Sequence, residues 1–216
     1  LREVSAAHYE VQFQLFDVFK GAQLAGYSIA FAAEDVRRTA HRISDLIYEK
    51  LTGQRGAFST RIAYVTALKA ADKSKKYQLS IADADGFNEQ IILASKQTLM
   101  SPSWSPDGKK LLYVSFESGR PEIFIQEVFS GQRQPITRYS GLNNAPVWSP
   151  DGRHLAMTLS KTGNPEIYIY SLQTTKLTQI THHAGIDTEP NWSPDGSKMV
   201  FTSDRGGRPQ LYTVNM

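Results

Sequence analysis

The sequence has 216 residues, 40% apolar and 21% charged, with a formal net charge of +3. This is the composition of an ordinary folded domain. Its apolar runs are far too short to cross a membrane, and its charge is too small to mark a nucleic-acid binder. The absence of cysteine excludes disulfides, thiolate metal sites and a cysteine nucleophile, but leaves the redox compartment open. No basic stretch followed by an apolar core opens the chain, so the signal of an exported protein is expected to lie before Leu1.

Taken in chain order, Tyr9, Val11, Phe13 and Leu15 alternate with Glu10, Gln12 and Gln14, the pattern of a half-buried strand. Gly21 and Gly26 bracket a turn. Tyr27, Ile29 and Phe31 alternate again, which predicts a hairpin. Val36, Ala40, Ile43, Ile47 and Leu51 then fall at helical spacing. Glu34 and Asp35 suit the start of that helix, and Lys50 and Gly53 suit its end. Strand, strand and helix make part of an α/β unit too small to stand alone. Residues 1–52 are therefore expected to be the C-terminal part of a larger α/β domain, with 53–60 as a linker.

Residues 61–216 follow a repeat. Trp104-Ser105-Pro106-Asp107-Gly108 recurs as Trp148-Ser149-Pro150-Asp151-Gly152 and as Trp192-Ser193-Pro194-Asp195-Gly196, each 44 residues after the last. Leu111, Leu155 and Met199 keep that register, as do Tyr113, Met157 and Phe201. Gly119, Gly163 and Gly207 also align, each two residues before a proline. A period of 44 residues fits one four-stranded propeller blade. Proline presets φ for the first central turn residue, aspartate suits the second, and glycine takes a positive φ. The motif thus predicts a tight connection between the first and second strands of each blade. The repeated tryptophan is expected to be an apolar wedge between blades.

A degenerate earlier copy starts at Arg61, where 61–66 resembles 110–115. No Trp-led strand precedes it, so the first blade is expected to lack its innermost strand. Its longer hairpin carries Lys69, Lys73, Lys75 and Lys76, expected to be a solvated tip because no aromatics are interleaved. The last copy stops in its third strand. A ring of blades must close, so the chain is expected to be truncated at its C-terminus, with further blades beyond. The predicted fold is mainly β, an incomplete β-propeller of three to four blades over 61–216 preceded by part of an α/β domain.

Several stretches carry a family resemblance. The run from Glu49 to Val65 resembles the junction between the two domains of the TolB family of the bacterial Tol–Pal envelope system. Residues 99–108, 116–120, 159–163, 187–192 and 201–210 resemble that family too. The resemblance implies a six-bladed propeller in the whole protein and a periplasmic, non-enzymatic scaffold without cofactors. It implies Pal, the peptidoglycan-associated lipoprotein, as a partner at the propeller, and TolA as a partner through an N-terminal arm absent here. Bacteriocins that exploit the system are implied as further partners, and neither nucleic acid nor membrane insertion is. The implied roles are outer-membrane integrity and constriction at cell division.

Loops entering the innermost strands lie at one mouth of a propeller, where a rigid scaffold presents variable chemistry. Carried over by position, the candidate contacts are Met100, Ser101, Leu142, Asn143, Ala145, Thr188 and Glu189. Met100 and Leu142 offer apolar contact; Asn143, Thr188 and Glu189 offer hydrogen bonds. The rival reading is the propeller of a prolyl-oligopeptidase-like serine peptidase, which shares the Trp-led motif. Such enzymes carry Gly-x-Ser-x-Gly on a separate domain, and this sequence has no such motif. His8, His41, His154, His182 and His183 lack metal-ligand spacing. Turn chemistry accounts for Asp107, Asp151 and Asp195. No glycine-rich phosphate loop opens a helix.

Overall fold

The structure is a computed structural model that describes residues 1–69 and 75–216. The centre of the lysine-bearing hairpin, Lys73 included, lies outside the described residues. The chain divides into two compact units, Leu1–Ile62 with Ala82–Glu89, and Ala63–Ile81 with Gln90–Met216.

The first unit holds the predicted hairpin, β2 (His8–Asp17) and β3 (Ala22–Ala32), and a short edge strand, β1 (Arg2–Ser5), in an antiparallel sheet of order β1-β2-β3. Tyr9 pairs with Phe31 and Phe13 with Tyr27 across the hairpin, their rings 6.0 and 5.6 Å apart. Helix α1 (Val36–Thr52) follows and ends at Gly53, whose φ of 72° lets its amide cap the Glu49 carbonyl. The apolar stripe of α1 is only partly covered. Val36 and Leu51 are more than half exposed, while Thr39 is buried.

Residues 53–60, expected as a linker, fold back onto α1. Asp45 accepts the amides of Phe58 at 2.7 Å and Ser59 at 3.1 Å, and the Ser59 hydroxyl as well. Burial alone raises the Asp45 pKa, but these donors outweigh it and hold the carboxyl below its ordinary value. Asp85, from residues 82–89 of this unit, accepts Arg37 of α1 and lies 3.3 Å from His41 Nε2, and Arg37 lies 3.9 Å from the centre of the Phe87 ring.

The second unit consists of four antiparallel sheets among the described residues. The first is β4 (Arg61–Lys69), β5 (Lys75–Asp83) and β6 (Gln90–Ser95). The second is β7 (Leu99–Trp104), β8 (Lys110–Ser115), β9 (Glu122–Glu127) and β10 (Arg133–Thr137). The third is β11 (Asn143–Trp148), β12 (His154–Leu159), β13 (Glu166–Ser171) and β14 (Leu177–Gln179). The fourth is β15 (Asp187–Trp192), β16 (Lys198–Ser203) and β17 (Gln210–Asn215). The outer sheets have three strands each and the middle two have four. Among the described residues the first sheet begins with β4, without a Trp-led strand, and the last sheet has β17 as its third strand.

Each Trp-led motif closes the turn between the first two strands of its sheet. Gly108, Gly152 and Gly196 sit at φ 66–72° and donate to the carbonyls of Ser105, Ser149 and Ser193 at 2.9 Å. Those serines also accept, through Oγ at 2.9 Å, the amides of Lys110, His154 and Lys198. Asp107, Asp151 and Asp195 accept the serine hydroxyls and the amide two residues on. The sequence reading gave the turn to proline, aspartate and glycine; the serine is equally engaged.

The core lies between sheets. Leu112, Val114, Ile123 and Ile125 of the second sheet pack with Trp148, Leu155, Met157 and Leu159 of the third. Ile167 and Ile169 meet Met199 and Phe201, with Trp192 against them. Ile81, Leu111 and Val128 pack with Trp104. Each tryptophan therefore fills the junction between its own sheet and the preceding one. Sheets packed face to face, with first strands β7, β11 and β15 side by side at their inner edges, form an open propeller.

Candidate functional site

The site is built on the first strands. In β7, Met100 pairs with Val114 and Ser103 with Leu112, so Ser101 and Pro102 together face one residue, Tyr113. In β11, Asn144 pairs with Thr158 and Val147 with Ala156, leaving Ala145 and Pro146 opposite Met157. In β15, Thr188 pairs with Thr202 and Asn191 with Val200, leaving Glu189 and Pro190 opposite Phe201. Each first strand thus carries a β-bulge at the same point of the repeat. The chemical cause is proline, which has no N–H for the ladder and is tolerated in sheets at edges and bulges.

The residue before each proline is left-handed, with φ 53° at Ser101, 46° at Ala145 and 53° at Glu189. None is glycine. Left-handed backbone costs an L-residue roughly 1–2 kcal/mol, and a following proline biases its neighbour toward extended backbone. Three copies of one strained conformation, 44 residues apart, are a property of the scaffold and not an accident of one loop. Strain of this kind gathers at functional positions.

The bulges are tied across sheet junctions. Ser101 Oγ donates to Asn144 Oδ1 at 3.4 Å, and the Glu189 amide donates to Thr158 Oγ1 at 3.2 Å. The entering loops are anchored in a repeated way as well. The Leu142 amide donates to Ser160 Oγ, and the Ile186 amide to Asp204 Oδ1, both at 2.7 Å. Asp187, fully buried at the start of β15, accepts Arg205 Nη2 at 2.7 Å. Buried Glu122 of the second sheet lies 3.7 Å from Arg120 and 3.8 Å from Arg138. The mouth is thus a frame held by polar contacts within and between sheets.

On this frame the structure brings together Met100 and Ser101, Leu142 and Ala145, and Thr188 and Glu189. Met100 and Glu189 are exposed; Ser101, Leu142, Ala145 and Thr188 are half-buried. Asn143 is different, and the expectation that it meets a partner is corrected here. It has no exposed surface, and its amide donates to the carbonyls of Tyr139 at 2.8 Å and Gly141 at 3.3 Å. Asn143 holds the entering loop in shape. The sequence reading missed Asn144 and Thr158, the inter-sheet ties, and the bulge itself. A signal for the bulge was present: a proline stands at 102, 146 and 190, inside a strand pattern and at the repeat period.

Radial sheets of three or four strands, three of them with a bulged inner strand, and one set of entering loops define residues 63–81 and 90–216 as an incomplete β-propeller. A sequence profile of the TolB beta propeller domain matches residues 48–216, and the chain belongs to that family. It is 56% identical over 142 residues to the Tol-Pal system protein TolB of Nitrosococcus oceani, covering 66% of this chain and 33% of that protein. It is 54% identical over 137 residues to the protein of the same name from Xanthomonas campestris pv. campestris, covering 63% and 31%. The crystal structure of TolB from Acinetobacter baumannii superposes with a TM-score of 0.88 at 45% identity, covering 96% of this chain and 52% of that one. The chain thus spans about a third of the curated relatives' length and about half of the solved one's. A puromycin-hydrolysing peptidase of Mycobacterium tuberculosis, at 15% identity and a TM-score of 0.52 over 70% of this chain and 27% of its own, shares the fold alone.

Proposed function

We propose that the chain is part of a non-enzymatic, periplasmic protein-binding scaffold of the Tol–Pal envelope system, and that its propeller mouth receives the Pal lipoprotein. In this reading residues 1–52 belong to a larger α/β domain, and residues 61–216 supply part of the partner-binding propeller. TolA engages an arm outside this chain, and bacteriocins are competing guests. The scaffold supports outer-membrane integrity and constriction at cell division.

The observation that carries the reading is the strained, proline-backed bulge repeated at Ser101, Ala145 and Glu189. It puts a rigid left-handed kink at the mouth of three successive blades, where six of the seven candidate contacts keep some exposed surface. Rigid presentation lowers the ordering cost of binding. The test is a pull-down of the full-length protein with Pal from the same organism. The double variant Ala145→Arg with Thr188→Arg is expected to weaken capture by about tenfold or more, the effect of placing bulk and charge in an interface centre. Undiminished capture by this variant overturns the site, and no capture by the wild type overturns the partner.

A further inference from the structure

We propose that His183 is a proton-operated catch on the loop that enters β15, and that it regulates the mouth; the regulatory half rests on the reading just given. The loop, residues 180–186, stands directly before candidate contacts Thr188 and Glu189. The catch is a local turn. The Gly185 amide donates to His183 Nδ1 at 2.8 Å, so the imidazole plays the part that an asparagine oxygen plays in an Asx turn. The rest of the loop is wrapped around this turn. Asn164 Nδ2 donates to the carbonyls of His183 at 2.8 Å and Gly185 at 2.7 Å, and the His183 amide donates to Glu166 Oε1 at 2.8 Å. There is no slack at Gly185. A Cβ there would lie 2.7 Å from Asp204 Oδ1 and 3.0 Å from both the Arg205 amide nitrogen and His183 Nδ1.

Only a ring with a bare Nδ1 accepts the Gly185 amide. An imidazolium carries a proton on both nitrogens and only donates. The His183 ring is exposed, so protonation sets two N–H groups against each other and breaks the turn by releasing the ring toward solvent. The charged groups that face the turn decide where the new proton points. Glu166 of β13 is occupied by the His183 amide and the Thr181 hydroxyl. Asp187 of β15 is engaged by Arg205. His182 is the titratable neighbour in the loop itself. Asp204, in the connection between β16 and β17, lies against the same point as Nδ1 and accepts the Ile186 amide. A cationic His183 competes for Asp204, so both anchors of the loop loosen together. The closed form belongs to the neutral ring, and the open form to the protonated one.

The catch is tested on the intact protein by following the Gly185 and Ile186 amides and the His183 ring by NMR from about pH 8 to about pH 5, the range over which imidazoles change charge. His183→Asn is the control, because its Oδ1 takes the place of Nδ1 without titrating. The wild-type amides are expected to move in step with the ring. Gly185 exchange, corrected for its intrinsic rate, is expected to be about fivefold faster at the acid end, the worth of one hydrogen bond. H183N is expected to stay flat. Amides that ignore the ring, or an H183N trace that still follows pH, overturn the catch. Pal binding measured at both ends of the range tests the regulatory half. The wild type is expected to bind about fivefold more weakly in acid, and H183N equally at both ends. Equal wild-type binding with moving amides overturns regulation. No wild-type binding at either end overturns the partner reading, while the amide titration still decides the catch.

Discussion

Ala145 sits at φ 46° with a proline directly behind it, a conformation its Cβ resists. Glycine has no such penalty but loses more freedom on folding. Ala145→Gly is therefore expected to raise stability by about 0.5 kcal/mol, the relieved strain less the added entropy cost. Urea unfolding measures it, and a destabilised variant shows that the bulge is not strained. Asn143 teaches the complementary lesson. Both asparagines at the head of β11 read alike in sequence, yet Asn143 is buried in loop carbonyls while Asn144 reaches the Ser101 hydroxyl. A side chain's partner is set by backbone that folds around it, and two adjacent residues of one type carry no mark of which is which.

At the scale of elements, the sheet junctions depend on their tryptophans. Trp148 belongs to the cluster formed by the second and third sheets. Trp148→Ala is expected to destabilise the protein by about 3–5 kcal/mol, and Trp148→Phe by clearly less, as read from denaturant midpoints. Equal small losses would show that the wedge is dispensable. These elements were the most legible part of the sequence, because a period of 44 residues constrains strand, turn and wedge at once. The hairpin and helix of the first unit were legible from periodicity alone. The fold-back of residues 53–60 was not, because it depends on Asp45 reaching amides 13 and 14 residues away. The mouth was legible as loops in register, but not residue by residue. Asn143 is carried over by position from the family, and position carries no sign of the Tyr139 and Gly141 carbonyls that take its amide, nor of the Ser101 hydroxyl that reaches Asn144.

At the scale of the whole molecule, one electrostatic device is used three times. Asp107, Asp151 and Asp195 are held below the ordinary carboxylate pKa, first by a serine hydroxyl and then by a backbone amide; Asp195 is lowered to about 2. A depressed folded-state pKa contributes stability that is present above the unfolded value and lost as pH falls through the folded one. Stability is therefore expected to drop between the ordinary value of 3.8 and about 2. The triple variant D107N, D151N and D195N is expected to be less stable than wild type at neutral pH, with the gap closing across that acid window. A gap that persists at the acid end would assign the loss to packing instead of charge. The bulged first strands have a consequence for how any guest is held. An incoming chain usually gains affinity at an open sheet edge by zipping on as one more strand. Here a prolyl kink interrupts that edge in every blade that bears it, so no continuous zipper forms. If the mouth receives a partner as proposed, that guest would be recognised by the tips of its own side chains, and the interrupted edge would be a poor nucleus for fibrils.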